Sequence, residues 1–575
     1  MSTQTKKTPS FSLDGFRGVD LCSHHTDPRC AQDIRNFRIL PDGSLKKRYG
    51  YRPIKSFTST KKNAYWIGSR NSKPLAYFLT NLSVICLNLQ TYEEQVIGSL
   101  SRSCSNAFFF FYEGNLYLCH DQNISLIDDE GIHPAEGYVP LIGKDWNNRE
   151  PGPDYEPKNI LTKRARISYI ISDPASIFLE VKDKIASVDG VIVNGIPISS
   201  QDYYLDTKLG TVNVQNLNAG DRVMIYVTLD IEDFAQLDLL KNACEAISFG
   251  KNTDNRLFFL DKNGSSSMLC SSYVTQESRK EAQQIYPNSD SLYIPESPPF
   301  VLGNRNSSIR SAQHHYDHLL LFTEEDAWMA RAEVSSDDEF PTVNINSTVG
   351  CCSQHGSVTV GNELFTVCQQ GVWQWSGNSE FSGEMHTVRI STPIDSLLVD
   401  EDFSKCGLYY NGRERELWLH FPSRSYVWIY QLDLKQWYRF DVSADFFFEA
   451  NGIFGFCAST RVFVFDPTLF YDQPNESSTS PIRAKYLSSY SDFGTKDPKI
   501  IKEILLVGDF ETNQIDIFAK DEKKNYAQIQ IQEPKGYSLI RNRTSSRSRF
   551  PYAALYVSVY DSNPITIYRA ELIAR

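Results

Sequence analysis

Residues 361–375, Gly-Asn-Glu-Leu-Phe-Thr-Val-Cys-Gln-Gln-Gly-Val-Trp-Gln-Trp, contain the pattern that decides the fold. The turn signal Gly361-Asn362 precedes an apolar strand from Leu364 to Val367, and a second turn leads into a strand from Gly371 to Trp375. Apolar runs bounded by turn residues are typical of a β-hairpin. The same phrase recurs along the chain, and its other copies are anchored at Leu75, Leu116, Leu257, Leu319, Leu417 and Val462.

The spacing of these anchors indicates a repeat architecture. From Leu75 onward the steps are 41, 141, 62, 45, 53 and 45 residues. Apart from the step of 141, they lie near the period of about 40–50 residues that propeller blades show. We therefore predict an all-β chain built as a β-propeller of six or seven blades. The alternative is a set of unrelated hairpins, because the copies lack a sharp signature such as a Trp-Asp dipeptide.

Length and composition agree with a large β protein. A chain of 575 residues exceeds the roughly 250–300 residues that one core supports, so two or more units are expected. Hydrophobic residues make up 41% and charged residues 22%, which excludes a wholly disordered chain. The aromatic content of 13% favours sheets, where such side chains pack well.

Charge and hydropathy exclude several classes of function. The formal net charge of −12 should repel a phosphate backbone, so general nucleic-acid binding is disfavoured. No apolar run approaches the ~20 residues of a membrane span. Residues 1–21 contain no apolar stretch of the kind found in signal peptides, so we expect no secretion. Apart from the adjacent Cys351-Cys352, the 12 cysteines are scattered singly, several of them in strand-like runs, which predicts reduced thiols without disulfides.

The anchors and the linkers between them predict five segments. The step of 141 residues contains a Pro-rich linker and five short strands, which is typical of an inserted β-sandwich domain. Cys30 to Phe37, after Asp27-Pro28, is predicted as a short capped helix. The segments are an N-terminal arm with this helix and a hairpin (1–55), the first propeller blades (56–145), the inserted β-sandwich (146–240), the remaining blades (241–470) and a C-terminal β-sandwich (478–575).

Three groups of phrases resemble tailed-bacteriophage virion proteins of the tail nozzle or tail hub type. The first group is N-terminal, the second surrounds the start of the insertion, and the third begins the C-terminal segment. They are Phe16-Arg17-Gly18-Val19 with Asp27-Pro28, Ala31, Asn36-Phe37-Arg38 and residues 42–51; residues 114–118, 133–140 and 155–162; and residues 482–486 with Asp492-Phe493-Gly494 and Lys499.

This resemblance implies a structural, non-enzymatic virion protein. Such a chain would form a homo-oligomeric ring, a hexamer, around the channel through which genomic DNA leaves, without sequence-specific binding. It would assemble with other phage tail or adaptor proteins after synthesis in the bacterial cytoplasm, and it would serve genome retention and ejection. The N-terminal arm would reach a neighbour. The alternative hypothesis is a β-propeller adhesin that binds host-surface carbohydrate, and the third hypothesis is an enzyme.

Two basic clusters are predicted to contact partners. Arginine is suited to carboxylate and phosphate recognition, and four arginines lie within nine residues on a predicted loop. A solvated turn is the alternative. The candidate contact residues are Arg541, Arg543, Arg547 and Arg549, together with Lys46, Lys47 and Arg48 on the basic strand Leu45 to Tyr51.

Candidate metal and catalytic residues have simpler explanations. Cys22, His24, His25 and Cys30 lack the spacing of a zinc knuckle, and His314, His315 and His318 precede or begin a strand, where side chains alternate faces. Residues 337–339 lack the regular oxygen spacing of a calcium loop. Cys351-Cys352 is expected to bury one thiol on a strand, and Trp373 and Trp375 to pack between blades. We expect no catalytic residues, no metal and no cofactor.

Overall fold

The computed structural model describes residues 10–22, 27, 29–57, 62–175, 178–181, 183–250, 255–261, 263–302, 308–332, 340–376, 385–494, 497–511, 515–521, 526–529, 536–543 and 549–575. The chain begins with five strands: β1 (Ser10–Asp14), β2 (Ala31–Arg35), β3 (Phe37–Ile39), β4 (Leu45–Lys47) and β5 (Gly50–Ser56). The predicted helix from Cys30 to Phe37 is wrong. Its residues form β2 and β3, because Ala31, Ile34 and Phe37 are buried against the neighbouring sheets.

Two four-stranded antiparallel sheets follow, each with its strands in sequence order. Blade one contains β6 (Lys62–Arg70), β7 (Lys73–Thr80), β8 (Ser83–Asn88) and β9 (Glu94–Ser99). Blade two contains β10 (Ala107–Tyr112), β11 (Asn115–His120), β12 (Asn123–Ile127) and β13 (Ile132–Pro134).

The predicted insertion separates blades two and three. One sheet has the order β14-β15-β21-β17-β18 and the other β16-β20-β19, and apolar side chains of both form one cluster that includes Ile167, Val212 and Ile225. The elements are β14 (Leu141–Asn147), β15 (Arg164–Ile170), β16 (Phe178–Glu180), β17 (Ile185–Val193), β18 (Ile196–Pro197), β19 (Tyr203–Asp206), β20 (Thr211–Val214), β21 (Arg222–Leu229) and helix α1 (Leu237–Asn242).

Blades three to six each contain four strands in sequence order. Blade three has β22 (Ala243–Phe249), β23 (Arg256–Asp261), β24 (Ser267–Cys270), helix α2 (Gln276–Gln283) and β25 (Phe300–Val301). Blade four has β26 (Ser311–His315), β27 (His318–Phe322), β28 (Ala327–Arg331) and β29 (Thr342–Asn346). Blade five has β30 (Ser357–Val360), β31 (Glu363–Cys368), β32 (Gly371–Trp375) and β33 (Thr387–Arg389), followed by helix α3 (Asp395–Leu398). Blade six has β34 (Gly407–Asn411), β35 (Glu416–His420), β36 (Val427–Gln431) and β37 (Gln436–Phe440).

Blade seven takes its fourth strand from the N-terminal segment. It contains β38 (Phe446–Ala450), β39 (Ile453–Ala458) and β40 (Arg461–Asp466), and β5 pairs antiparallel with β40. The first strands of the seven sheets contact one another in succession, and β38 contacts β6 to close the ring. The predicted β-propeller is therefore confirmed, with seven four-stranded sheets in the described part of the chain.

The C-terminal strands complete two further sheets that also contain the N-terminal strands. They are β41 (Tyr471–Asn475), β42 (Ser478–Ser488), β43 (Ile501–Phe510), β44 (Ile515–Lys520), β45 (Tyr526–Ile529), β46 (Gly536–Arg543), β47 (Ala554–Asp561) and β48 (Ile565–Ala574). One sheet has the order β3-β4-β48-β43-β46, with β1 also paired to β48. The other extends blade six through β37-β2-β42-β47-β44-β45.

The described residues of the predicted N-terminal arm (1–55) are part of the folded sheets. Its first four strands lie in the C-terminal sheets and its fifth closes the propeller. A single apolar cluster extends from Phe16 through Trp418 to Leu572, and it joins these strands to blades five, six and seven. In the described ranges, no helix is long and apolar enough to cross a membrane.

Candidate functional site

A cleft of about 270 Å³ lies where blades one, six and seven meet the N-terminal strands. Strands β3 to β5, with the turn after β4, present arginine and tyrosine side chains to it. Turns of blades one and six supply the opposite wall. We name it the arginine cleft and define it by Arg38, Arg48, Tyr49, Arg52, Tyr92 and Arg413.

Arg38 forms the buried floor of the arginine cleft. Its Nε and Nη2 donate to the two carboxylate oxygens of Glu416 at 2.5 and 3.1 Å. The same carboxylate accepts from the Tyr438 hydroxyl at 2.6 Å and from Trp418 Nε1 at 3.1 Å. Glu416 is fully buried, so its charge is compensated by four donors and not by water.

Arg48 and Arg52 are also held by carboxylates of this chain. Arg48 makes a bidentate contact with Asp472 at 2.6 and 2.7 Å, and its Nε donates to Asn36 at 2.8 Å. Arg52 lies 3.2 Å from an Asp466 oxygen and donates to the Tyr92 hydroxyl at 2.9 Å. The bidentate Arg48–Asp472 pair fixes the turn before β5, and Arg52 joins β5 itself to blades one and seven.

The rim of the cleft is its chemically accessible part. The Arg413 side chain is 55% exposed, and its nearest carboxylate, Glu414, is 3.9 Å away. Tyr49 and Tyr92 provide aromatic faces, against which Arg38 and Arg52 lie 5.2 Å from the ring centroids. Such a rim can bind a carboxylate or another planar anion. Among the described residues that line the cleft, none is a serine, cysteine or histidine.

The basic strand around residue 47 has a different role from the predicted partner contact. Lys47 is fully buried and donates to the backbone oxygen of Asp561 at 2.7 Å, and burial lowers its pKa to about 8. Arg48 is also buried. Both residues are therefore used within the chain, and their contact with a partner stays a prediction. Lys46 is half-buried, with Nζ 5.4 Å from the centroid of the Tyr49 ring.

The arginines near residue 545 are only partly within the described residues. Arg541 and Arg543 belong to strand β46 and pair with Leu505 and Glu503, so they do not lie on a loop as predicted. Arg549 is exposed, and Arg547 lies outside the described residues. Their contact with a partner remains a prediction.

The candidate metal ligands do not form a cluster in the described ranges, where no group of three suitable side chains could hold a metal ion. Cys22 is exposed and Cys30 is buried, while His24, His25 and residues 337–339 lie outside those ranges. His315 and His318 oppose each other across the β26–β27 hairpin, which confirms the predicted strand. Burial lowers the pKa of His315, so its imidazole is neutral near pH 7.

The adjacent cysteines and the tryptophan pair are parts of the core. Cys351 and Cys352 are both buried free thiols outside any strand, and burial raises the pKa of each to about 12. Trp375 packs against Phe322 of blade four with a centroid distance of 5.6 Å and donates to Thr366 at 2.9 Å. Packing between blades is confirmed for this tryptophan.

Sequence reasoning missed the buried carboxylate Glu416 and its partners. The available signal is that Glu416 begins the strand Glu416–His420, in which every residue is buried. A charged residue in such a strand requires a buried partner. The partner Arg38 is 378 residues away in sequence, so no local pattern could name it.

Comparisons with known proteins found no matching family model and no matching curated protein. Among solved structures, the chain is similar to a streptogramin B lyase (9% identity, TM-score 0.33, covering 73% of this chain and 98% of that chain). It is also similar to the β-propeller domain of Cps50 (Swd1) from Myceliophteria thermophila (7% identity, TM-score 0.35, covering 73% and 100%). A third is the extracellular domain of a one component system from B. thetaiotaomicron (11% identity, TM-score 0.27, covering 92% of this chain). The chain spans 61% of that domain's length.

Proposed function

We propose that this chain is a non-enzymatic structural component of a bacteriophage virion tail, of the nozzle or hub type. The observation that supports it most is where the family-like N-terminal phrases lie. Asn36 and Arg38 belong to the first phrase group, and residues 42–51 include Arg48; these residues hold the propeller against the C-terminal sheets. The N-terminal phrases that resemble the family therefore contain the residues that connect the propeller to the C-terminal sheets.

Gly18 in the same phrase group shows how strict this architecture is. A Cβ atom at Gly18 would lie 2.8 Å from both the backbone nitrogen and the backbone oxygen of Trp437 in blade six. Val19 N donates to that Trp437 oxygen at 2.8 Å. Only glycine permits this approach of two backbones. The close packing of this segment against blade six therefore explains why the phrase has a glycine at position 18.

The proposed subunit has three parts. The paired sheets of the insertion and those of the C-terminal region would be β-sandwich domains attached to the propeller. Six copies would form a ring around the DNA exit channel and contact other tail or adaptor proteins. The net charge of −12 suits a conduit that DNA passes without adhering. Assembly would begin in the host cytoplasm and end in the virion.

Antibody labelling of virions tests this proposal. Electron micrographs should show antibody to this chain at the tail, at one fixed height, and antibody to the capsid serves as the positional control. Labelling absent from tails, or distributed along fibres, would overturn the assignment. Negative-stain images of the protein mixed with its tail partners should show rings of fixed copy number.

A second candidate function, an adhesin for host-surface carbohydrate, is favoured by one observation. A groove of about 750 Å³ lies between blades one and two and the linkers of the inserted domain. Uncharged hydrogen-bonding groups line it together with the charged side chains of Arg102, Lys163 and Asp233. His120 Nε2 lies 2.9 Å from Ser125 Oγ. Apolar walls with a few convergent polar groups are typical of ligand sites. Binding of polysaccharide by the intact chain, lost in His120→Ala, would favour this function over the ring.

A further inference from the structure

The inserted domain is fastened to blade three by a compact junction of three chain segments. Tyr138 N donates to Leu292 O at 2.8 Å, and Ile160 N donates to Ile294 O at 2.9 Å. Asn159, which is fully buried, donates to the backbone oxygens of Tyr138 and Leu292 at 2.8 and 2.9 Å. It also accepts from Ile294 N at 3.1 Å. Residues 288–296 of blade three thus hold the incoming linker at two points.

Asp290 lies in the middle of this junction. Its carboxylate accepts from Leu292 N at 2.8 Å, and the preceding Ser289 donates to Gly137 O at 3.0 Å. The charged groups that face it are Arg279 of α2 and Glu136 of the linker, and the Tyr117 hydroxyl of blade two is also near. Burial raises the pKa of Asp290 to about 6, in spite of two backbone N–H donors and Arg279. The single arginine therefore does not fully compensate the ionised form.

A second carboxylate, Glu156, fastens the same linker. It accepts from Leu141 N at 2.6 Å and from the Tyr138 hydroxyl at 3.0 Å. The charged groups that face it are Arg166 of β15 and Glu281 of α2. Burial raises the pKa of Glu156 above its ordinary value. Both carboxylates that hold the linker are thus disfavoured in their charged form.

We propose that this junction is a pH-sensitive latch, which holds the inserted domain most firmly in acidic solution and loosens it as the pH rises to neutral. A carboxyl group with a raised pKa in the closed state contributes stability that is fully present below its ordinary pKa and is lost as pH rises through the raised value. For Asp290 that window extends from 3.8 to about 6. Opening of the latch should therefore become more frequent between about pH 4 and pH 6.

Hydrogen exchange of the intact chain measures this opening directly. With a pKa for Asp290 of 3.8 in the open state and about 6 in the closed state, the opening equilibrium should rise about tenfold between about pH 5 and about pH 7.5. The change should appear, after correction for intrinsic exchange rates, in the amides of residues 136–142 and 288–296. Amides of the blade-six strands should show no such change, so they serve as the internal reference.

Three variants make the test decisive. Asp290→Asn keeps an acceptor for Leu292 N but does not ionise, so its opening at about pH 7.5 should fall below the wild-type value at about pH 5. Glu156→Gln should weaken the pH dependence in part. Asp233→Asn is the matched control, because Asp233 is 80% exposed on the outgoing linker and should leave the profile unchanged. A flat wild-type profile, opening that increases on acidification, or an unaltered profile in Asp290→Asn would each overturn the proposal.

Discussion

Glu416 provides the sharpest test of how the closed propeller is stabilised. Replacing it with alanine removes the acceptor of the Arg38 guanidinium, the Tyr438 hydroxyl and Trp418 Nε1. Arg38 is 7% exposed, so its charge would stay buried with only the more distant Glu414 carboxylate, 3.8 Å away, as a partner. Breaking such a pair on one side costs about 3–5 kcal/mol, and each further unmet buried donor costs about 1–3 kcal/mol. We therefore expect Glu416→Ala to lower the free energy of unfolding by at least about 3 kcal/mol.

Urea denaturation followed by tryptophan fluorescence is a suitable assay. Trp418, Trp428 and Trp437 are buried in the same blade and should report its unfolding directly. The midpoint should fall while the slope of the transition stays the same, because the surface exposed on unfolding is nearly unchanged.

An exposed ion pair on the same hairpin provides the matched control. Arg415 contacts Asp433 at 3.0 Å, but both side chains are about half exposed, so Arg415→Ala should leave the midpoint unchanged within error. The double variant Arg38→Met with Glu416→Met removes both charges and should be more stable than Glu416→Ala alone. Equal, small effects of Glu416→Ala and Arg415→Ala would refute the reasoning.

Three further predictions concern the N-terminal strands. Lys485 and two arginines hold the pKa of Asp33 below its ordinary value in spite of burial, so its stabilising effect is present above pH 3.8 and is lost in more acidic solution. Asp33→Asn should therefore melt at a lower temperature near pH 7 and show a flatter pH dependence below pH 4 in thermal scans. The pKa of Lys47 is lowered by burial from 10.5 to about 8, so wild-type stability relative to Lys47→Met should rise between pH 8 and pH 10.5 in the same scans. Deletion of residues 1–49 should remove β1 to β4 and yield little soluble protein, and circular dichroism of what remains should show a melting temperature well below that of the intact chain.

The blades were predictable from sequence because their central strands are buried on both faces. The anchors at Leu116 and Leu319 belong to second strands, and in β27, from His318 to Phe322, every residue is buried. Such strands read as short apolar runs between turn signals. The fourth strand β9 is largely exposed and lacks this signal.

Neither the closure of the propeller nor the arginine cleft could be predicted from local sequence patterns. Strand β5 pairs with β40 across about 400 residues, and the local pattern around Gly50 to Ser56 indicates only a basic strand. Lys47 and Arg48, just before β5, were predicted as surface contacts, because their partners Asp561 and Asp472 lie near the other end of the chain. Long-range pairing of this kind has no signature in a single local window.

The N-terminal strands connect the C-terminal sheets to blade seven, although the sequence predicts these as separate segments. Strand β4 pairs with β48 of the C-terminal sheets, and β5, which begins three residues later, closes blade seven. Loss of the C-terminal sheets would therefore strain the same short segment that holds the ring shut. The shared apolar cluster from Phe16 to Leu572 also connects these strands, because its side chains pack together in one core. Blades six and seven and the C-terminal sheets should consequently unfold as one cooperative unit, whereas the inserted domain, with its own core and two linkers, is free to respond separately.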